Sequence, residues 1–120
     1  MVTVAISADG EYIVVGIWDG KVYLFNKDSN TPLWSYDTGS AVRNAAISAD
    51  GEHIVTSSVD GAWSGKIHLF DKDSSTPLWN YTAEGDLFSI AISADGEYIV
   101  AGEQYSKVYL FDKDSNTPLW

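Results

Sequence analysis

The sequence predicts an all-β chain made of three repeated four-stranded units, and three observations carry that reading. Ser-Ala-Asp-Gly stands at residues 7–10, 48–51 and 93–96, a spacing of 41 and then 45. Thr-Pro-Leu-Trp stands at residues 31–34, 76–79 and 117–120, a spacing of 45 and then 41. A single period of 41 with a four-residue insertion in the middle unit, near residues 62–65, satisfies both. Finally, nothing in the unit shows a convincing 3.6-residue apolar period, whereas short β-branched and aromatic runs alternate with Gly, Asp, Asn and Ser clusters. Repeats of this length signal arrays, solenoids or propellers.

The first unit justifies each element in turn. Residues 2–7, V-T-V-A-I-S, are small or β-branched and read as strand A. Ala8, Asp9 and Gly10 turn the chain, Gly10 being free to adopt positive φ. Residues 11–16 read as strand B, and residues 17–20 as a loop. Residues 21–25, K-V-Y-L-F, alternate faces as strand C. Residues 26–30 form a polar turn, and residues 31–36 read as strand D, where Pro32 suits an edge because it cannot donate to a ladder. Four short strands with tight turns, repeated, describe a β-propeller blade. The blades divide as 1–41, 42–86 and 87–120. Strand A carries the smallest residues, as the crowded innermost position requires, and strand D carries Trp34, Trp79 and Trp120.

These residues also support a family resemblance over essentially the whole chain. The run from Val4 to Asn26, with its Ser-x-Asp-Gly turn and the Asp19-Gly20 pair before strand C, resembles a WD-repeat blade. The T-P-L-W-S-Y-D-T-G run from Thr31 to Gly39 resembles the tryptophan-bearing outer strand of pyrroloquinoline-quinone-type propellers. No Gly-His pair precedes strand A, and Phe-Asn or Phe-Asp replaces the terminal Trp-Asp. The resemblance therefore implies a WD-like propeller without the histidine–aspartate network of typical WD-repeats.

Propellers close with about 4–8 blades, so three blades in this chain leave two broad apolar blade faces to cover. Met1 aligns with Val42 and Trp120 with Trp34, which trims the third outer strand and predicts no strand exchange between first and last blades. Head-to-tail closure by rotation is the expected solution. A homodimer of six blades, about 60° each, is favoured over a homotrimer of nine at about 40° because it orders fewer chains.

Composition excludes several function classes. Seventeen acidic against seven basic residues give a net charge of −10, which argues against nucleic-acid binding. The absence of cysteine excludes disulfides and thiolate chemistry. No apolar run approaches membrane-spanning length, so a soluble chain without a membrane role is expected. Asp112, Asp114 and Asn116 have the D-x-D-x-N spacing of half a calcium loop, but neither the glycine nor the distal glutamate follows, and turn capping is the better reading. Asp9, Asp50 and Asp95 read as turn residues. His53 and His68 replace Tyr12 and Tyr23 of the first unit and read as packing residues. No nucleophile elbow or phosphate loop appears. The expectation is no enzyme, no catalytic residues, no metal and no cofactor, quinone included.

The units differ most in their B–C loops and D–A connections, which an up-and-down blade places on one face of the ring. That face would carry Trp18, Asp19, Arg43, Trp63, Glu84, Asp86 and Tyr105, a mixture of aromatics and charges suited to a partner protein or peptide. The expected function is a non-catalytic scaffold or interaction module assembled head-to-tail. The alternatives are a purely structural or engineered self-assembling segment, and, disfavoured, a quinone-dependent or hydrolytic propeller enzyme.

Overall fold

The structure is a computed structural model that describes residues 2–104 and 107–120. Each unit folds as the alternation of β-rich runs and turn clusters dictates. The strands are β1 (Val2–Ile6), β2 (Tyr12–Ile17), β3 (Lys21–Asn26), β4 (Trp34–Asp37), β5 (Ala41–Ile47), β6 (His53–Val59), β7 (Gly65–Asp71), β8 (Trp79–Thr82), β9 (Leu87–Ile92), β10 (Tyr98–Glu103) and β11 (Val108–Asp112). They pair in sequence order as antiparallel meanders: β1-β2-β3-β4, β5-β6-β7-β8 and β9-β10-β11. Three blades therefore stand side by side, with β1, β5 and β9 adjacent at the inner edge.

One detail departs from the expected strands. The outer strands begin at Trp34 and Trp79 rather than at Thr31 and Thr76. Ser29 Oγ accepts from Thr31 N at 3.0 Å, which holds this stretch in a turn, and Pro32 has no N–H to offer a ladder. In keeping with the trimmed third outer strand, the third sheet has three strands among the described residues. Its outer position is only begun, by Leu119 N donating to Leu110 O at 2.6 Å and Leu110 N donating to Trp120 O at 2.9 Å.

The Ser-x-Asp-Gly turns are built identically. In the first, Ser7 Oγ donates to Asp9 Oδ1 at 2.7 Å, Asp9 Oδ1 also accepts from Glu11 N at 3.0 Å, and Ser7 Oγ accepts from Tyr12 N at 3.1 Å. The hydroxyl hydrogen bond holds Asp9, Asp50 and Asp95 below the usual carboxylate range. The C–D turns are likewise capped, Asp71 Oδ1 and Asp112 Oδ1 each accepting at 2.9 Å from the backbone N–H two residues on.

The core lies between blades, in two equivalent layers. One joins Val14, Val22 and Leu24 of the first blade to Val42, Ile54 and Phe70 of the second. The other joins Val55, Ile67 and Leu69 of the second to Leu87, Ile99 and Phe111 of the third. Three contacts recur at both junctions. The outer tryptophan stacks on the strand-C phenylalanine of the next blade (Trp34 on Phe70 and Trp79 on Phe111, each 5.2 Å between centroids). Its Nε1 donates to a carbonyl of that blade, Lys72 O or Lys113 O, at 2.8 Å. Between the inner turns, Ala8 N donates to Ala49 O and Ala49 N to Ala94 O, both at 3.1 Å. Beside these, Tyr12 lies over Gly51 and His53 over Gly96. His68 is buried against Tyr36 and Phe70, a packing position as expected. Burial, reinforced by Lys66, lowers its pKa to about 4.

Candidate binding cleft on the loop face

The alternating strand direction of the antiparallel blades sends the B–C loops and D–A connections to one end of the molecule. There residues of all three blades converge on Arg43. A register shift in β5 between Val42 and Asn44 re-aims this residue out of the ladder. Its guanidinium carbon lies 5.9 Å from the ring centroid of Trp18 in the first blade and 5.8 Å from that of Phe88 in the third. Its Nη1 lies 3.1 Å from Oδ2 of Asp86, a buried carboxylate. The other Asp86 oxygen, Oδ1, is buried with no hydrogen-bond partner among the described residues.

The middle-unit insertion supplies Trp63. Asp60 organises the loop: its Oδ1 accepts from Ala62 N at 2.9 Å and Ser64 N at 3.0 Å, and its carbonyl accepts from Trp63 N at 3.0 Å. Ser64 Oγ then ties the loop to the D–A connection by donating to Ala83 O at 2.8 Å. This tight loop puts Trp63 at φ 62°, the one non-glycine residue with positive φ among those described. A bulky side chain there is uncommon and costs about 1–2 kcal/mol. Burial does not compensate, because Trp63 is 63% exposed.

Two clefts flank the Arg43–Trp63 ridge. One, of about 430 Å³, is walled by Glu84, Gly85, Asp86, Phe88 and Gln104. The other, of about 400 Å³, is walled by Trp18, Ala41, Val59 and the loop backbone at Gly39 and Gly61. Glu84 is exposed and meets Lys107 Nζ at 3.2 Å. Nearby, Tyr109 donates a 2.5 Å hydrogen bond to Glu103 Oε2; burial, then the Glu103 carboxylate, raises the phenol's pKa above its ordinary value.

Of the residues singled out from sequence, Trp18, Arg43, Trp63, Glu84 and Asp86 line these clefts. Asp19 faces its own turn, its Oδ1 accepting from Lys21 N at 3.0 Å. Tyr105 lies outside the described residues. Sequence reasoning missed Phe88, Gln104 and Asp60. Phe88 was findable, because it occupies the repeat position of Arg43 and Val2, where the units agree on neither size nor charge.

A solved structure shares this architecture: the β-propeller domain of Myceliophteria thermophila Cps50 (Swd1), at 13% identity and a TM-score of 0.82 over 98% of this chain. The chain spans 36% of the length of that one, just over a third of a propeller domain. No curated protein matches the chain. A family model described as outer membrane protein assembly factor BamB matches residues 3–120, the whole array of repeats. With blade repeats, inter-blade tryptophans and that match together, the chain belongs to the BamB-described family of propeller repeats.

Proposed function

We propose that the chain is a non-catalytic scaffold and interaction module that works by two associations: head-to-tail with copies of itself, and through its loop face with a partner protein or peptide. The observation that supports the first is that its two open faces carry, at matching repeat positions, the residues that form the two halves of the junction it already makes twice. On the first blade, Phe25 and the Lys27 carbonyl occupy the positions of Phe70 with Lys72 and Phe111 with Lys113, and Gly10 faces open space where Gly51 and Gly96 are covered. On the third blade, Trp120 and Tyr98 occupy the positions of Trp34 and Tyr12 and stand 65% and 48% exposed. Docking one copy on the next would place Trp120 on Phe25, its Nε1 on the Lys27 carbonyl, Tyr98 over Gly10, and Ala94 N on Ala8 O. It would also bury Val4 and Ile6 against Val100 and Val108, all exposed in the single chain. Patches of this kind signal association, and a heterologous interface closes by rotation. Two copies give a six-bladed ring, preferred over the nine-bladed ring of three copies because fewer chains are ordered.

Complementation tests this reading by sedimentation. Trp120→Ala disables one face and Phe25→Ala the other, and neither touches an internal junction. Each variant alone should associate more weakly than the parent chain. Their equimolar mixture should recover association, because one junction in the mixed pair is intact. Unchanged association of either variant, or no recovery on mixing, overturns the head-to-tail reading.

A further inference from the structure

We infer that the loop face recognises an extended peptide segment carrying an apolar and a basic side chain side by side, one in each cleft, across the Arg43–Trp63 ridge. The inference rests on the reading of this face as a docking surface and adds the chemistry of its occupant.

The two clefts share Arg43 and Trp63 and differ in character. One is walled by Trp18, Ala41 and Val59 and offers an apolar side chain a place to leave water. The other brings together two carboxylates, Glu84 and Asp86, with the Gln104 amide and the Phe88 ring. Among the described residues Glu84 is held by the exposed Lys107 alone, so an incoming cation can compete for it. Asp86 adds a buried oxygen lacking a hydrogen-bond partner among the described residues, an acceptor whose desolvation is so far uncompensated. A lysine or arginine side chain answers this wall, laying its apolar stem on Trp63 and its charge beside the carboxylates. An acidic side chain does not, because Arg43 is already matched by Asp86 and both carboxylates would repel the newcomer. The net charge of −10 draws a basic segment in the same direction.

Arg43 supplies the link between the clefts. A guanidinium carries five N–H donors, and among the described residues this one meets a single carboxylate. Held between two rings, it lines both clefts, so its remaining donors would be available to the backbone carbonyl between two adjacent peptide side chains. The strained and exposed Trp63 fits the same account. Its conformation is imposed by the Asp60 loop while most of its side chain stays exposed, the pattern expected of a residue displayed to a ligand.

The test is an array of immobilised hexapeptides sampling all central residue pairs, probed with the full chain and with Trp63→Ala. Fluorescence anisotropy then follows with labelled peptides centred on Leu-Arg, Arg-Leu, Leu-Glu and Gly-Arg. The expected result is Trp63-dependent capture of apolar–basic pairs, with at least about tenfold weaker binding when Arg becomes Glu or Leu becomes Gly. Glu84→Lys should invert the preference between Arg and Glu peptides, a readout that loss of folding could not mimic. Trp63-dependent capture of acidic or wholly apolar pairs overturns this inference and leaves the docking surface standing. No Trp63-dependent capture of any pair overturns both.

Discussion

Gly51 and Gly10 sit in the same turn, at φ 76° and 75°, but only Gly51 is covered. A Cβ on Gly51 would lie 2.6 Å from Cδ2 of Tyr12 in the preceding blade, whereas a Cβ on Gly10 meets nothing within 4 Å. Alanine at either position incurs the left-handed backbone cost of about 1–2 kcal/mol. At Gly51 it must also push an aromatic ring out of a packed junction, which adds about 1–3 kcal/mol. Gly51→Ala should thus lose about 2–5 kcal/mol and Gly10→Ala about 1–2 kcal/mol. Urea unfolding followed by circular dichroism, at a concentration low enough to keep the chain monomeric, measures both. In a Tyr12→Ala background, Gly51→Ala should add only the backbone cost, because the clashing ring is gone. Raising the concentration should increase the cost of Gly10→Ala, since Tyr98 of a second copy then covers Gly10. Equal losses at the two positions in the dilute monomer would refute the idea that aromatic-on-glycine contacts lock the blades.

Other consequences follow from the same geometry. Burial lowers the pKa of His68 to about 4, against about 6.5 when unfolded. The unfolded chain therefore takes up the proton first, so stability is fully present above about pH 6.5 and is lost as pH falls toward 4. His68→Tyr, the residue of the matching positions 23 and 109, should flatten that slope in urea midpoints measured against pH. Arg43→Met leaves Asp86 buried and unpaired and should cost about 3–5 kcal/mol, much of it recovered in the double variant with Asp86→Asn. Trp79→Phe removes the donor to the Lys113 carbonyl and should lower monomer stability by about 1 kcal/mol, whereas Trp120→Phe should leave it unchanged and weaken only association.

The fold was legible because each local signal agreed with the others. The turn text set Gly10, Gly51 and Gly96 at positive φ, and the alternation in residues 21–25 set which side chains enter a junction. The outer-strand tryptophans were placed on the correct strand, but their role as donors to the next blade was not visible, because a junction partner 34 to 38 residues away leaves no local pattern. The start of strand D was misplaced for a local reason, the Ser29–Thr31 turn ahead of Pro32. On the loop face, the variable positions pointed to Trp18, Arg43, Trp63, Glu84 and Asp86, but not to how they meet. The bulge that re-aims Arg43 and the left-handed Trp63 arise from loop closure within three dimensions, which repeat alignment does not encode.

We propose that the chain's first and last blade faces fit each other as its internal junctions do. Light scattering on a size-exclusion column, across a dilution series, tests it most directly. The chain weighs 13.1 kDa, so the account predicts a species of twice that mass, about 26 kDa, that dissociates on dilution. A folded species that stays at 13.1 kDa up to high concentration would contradict it.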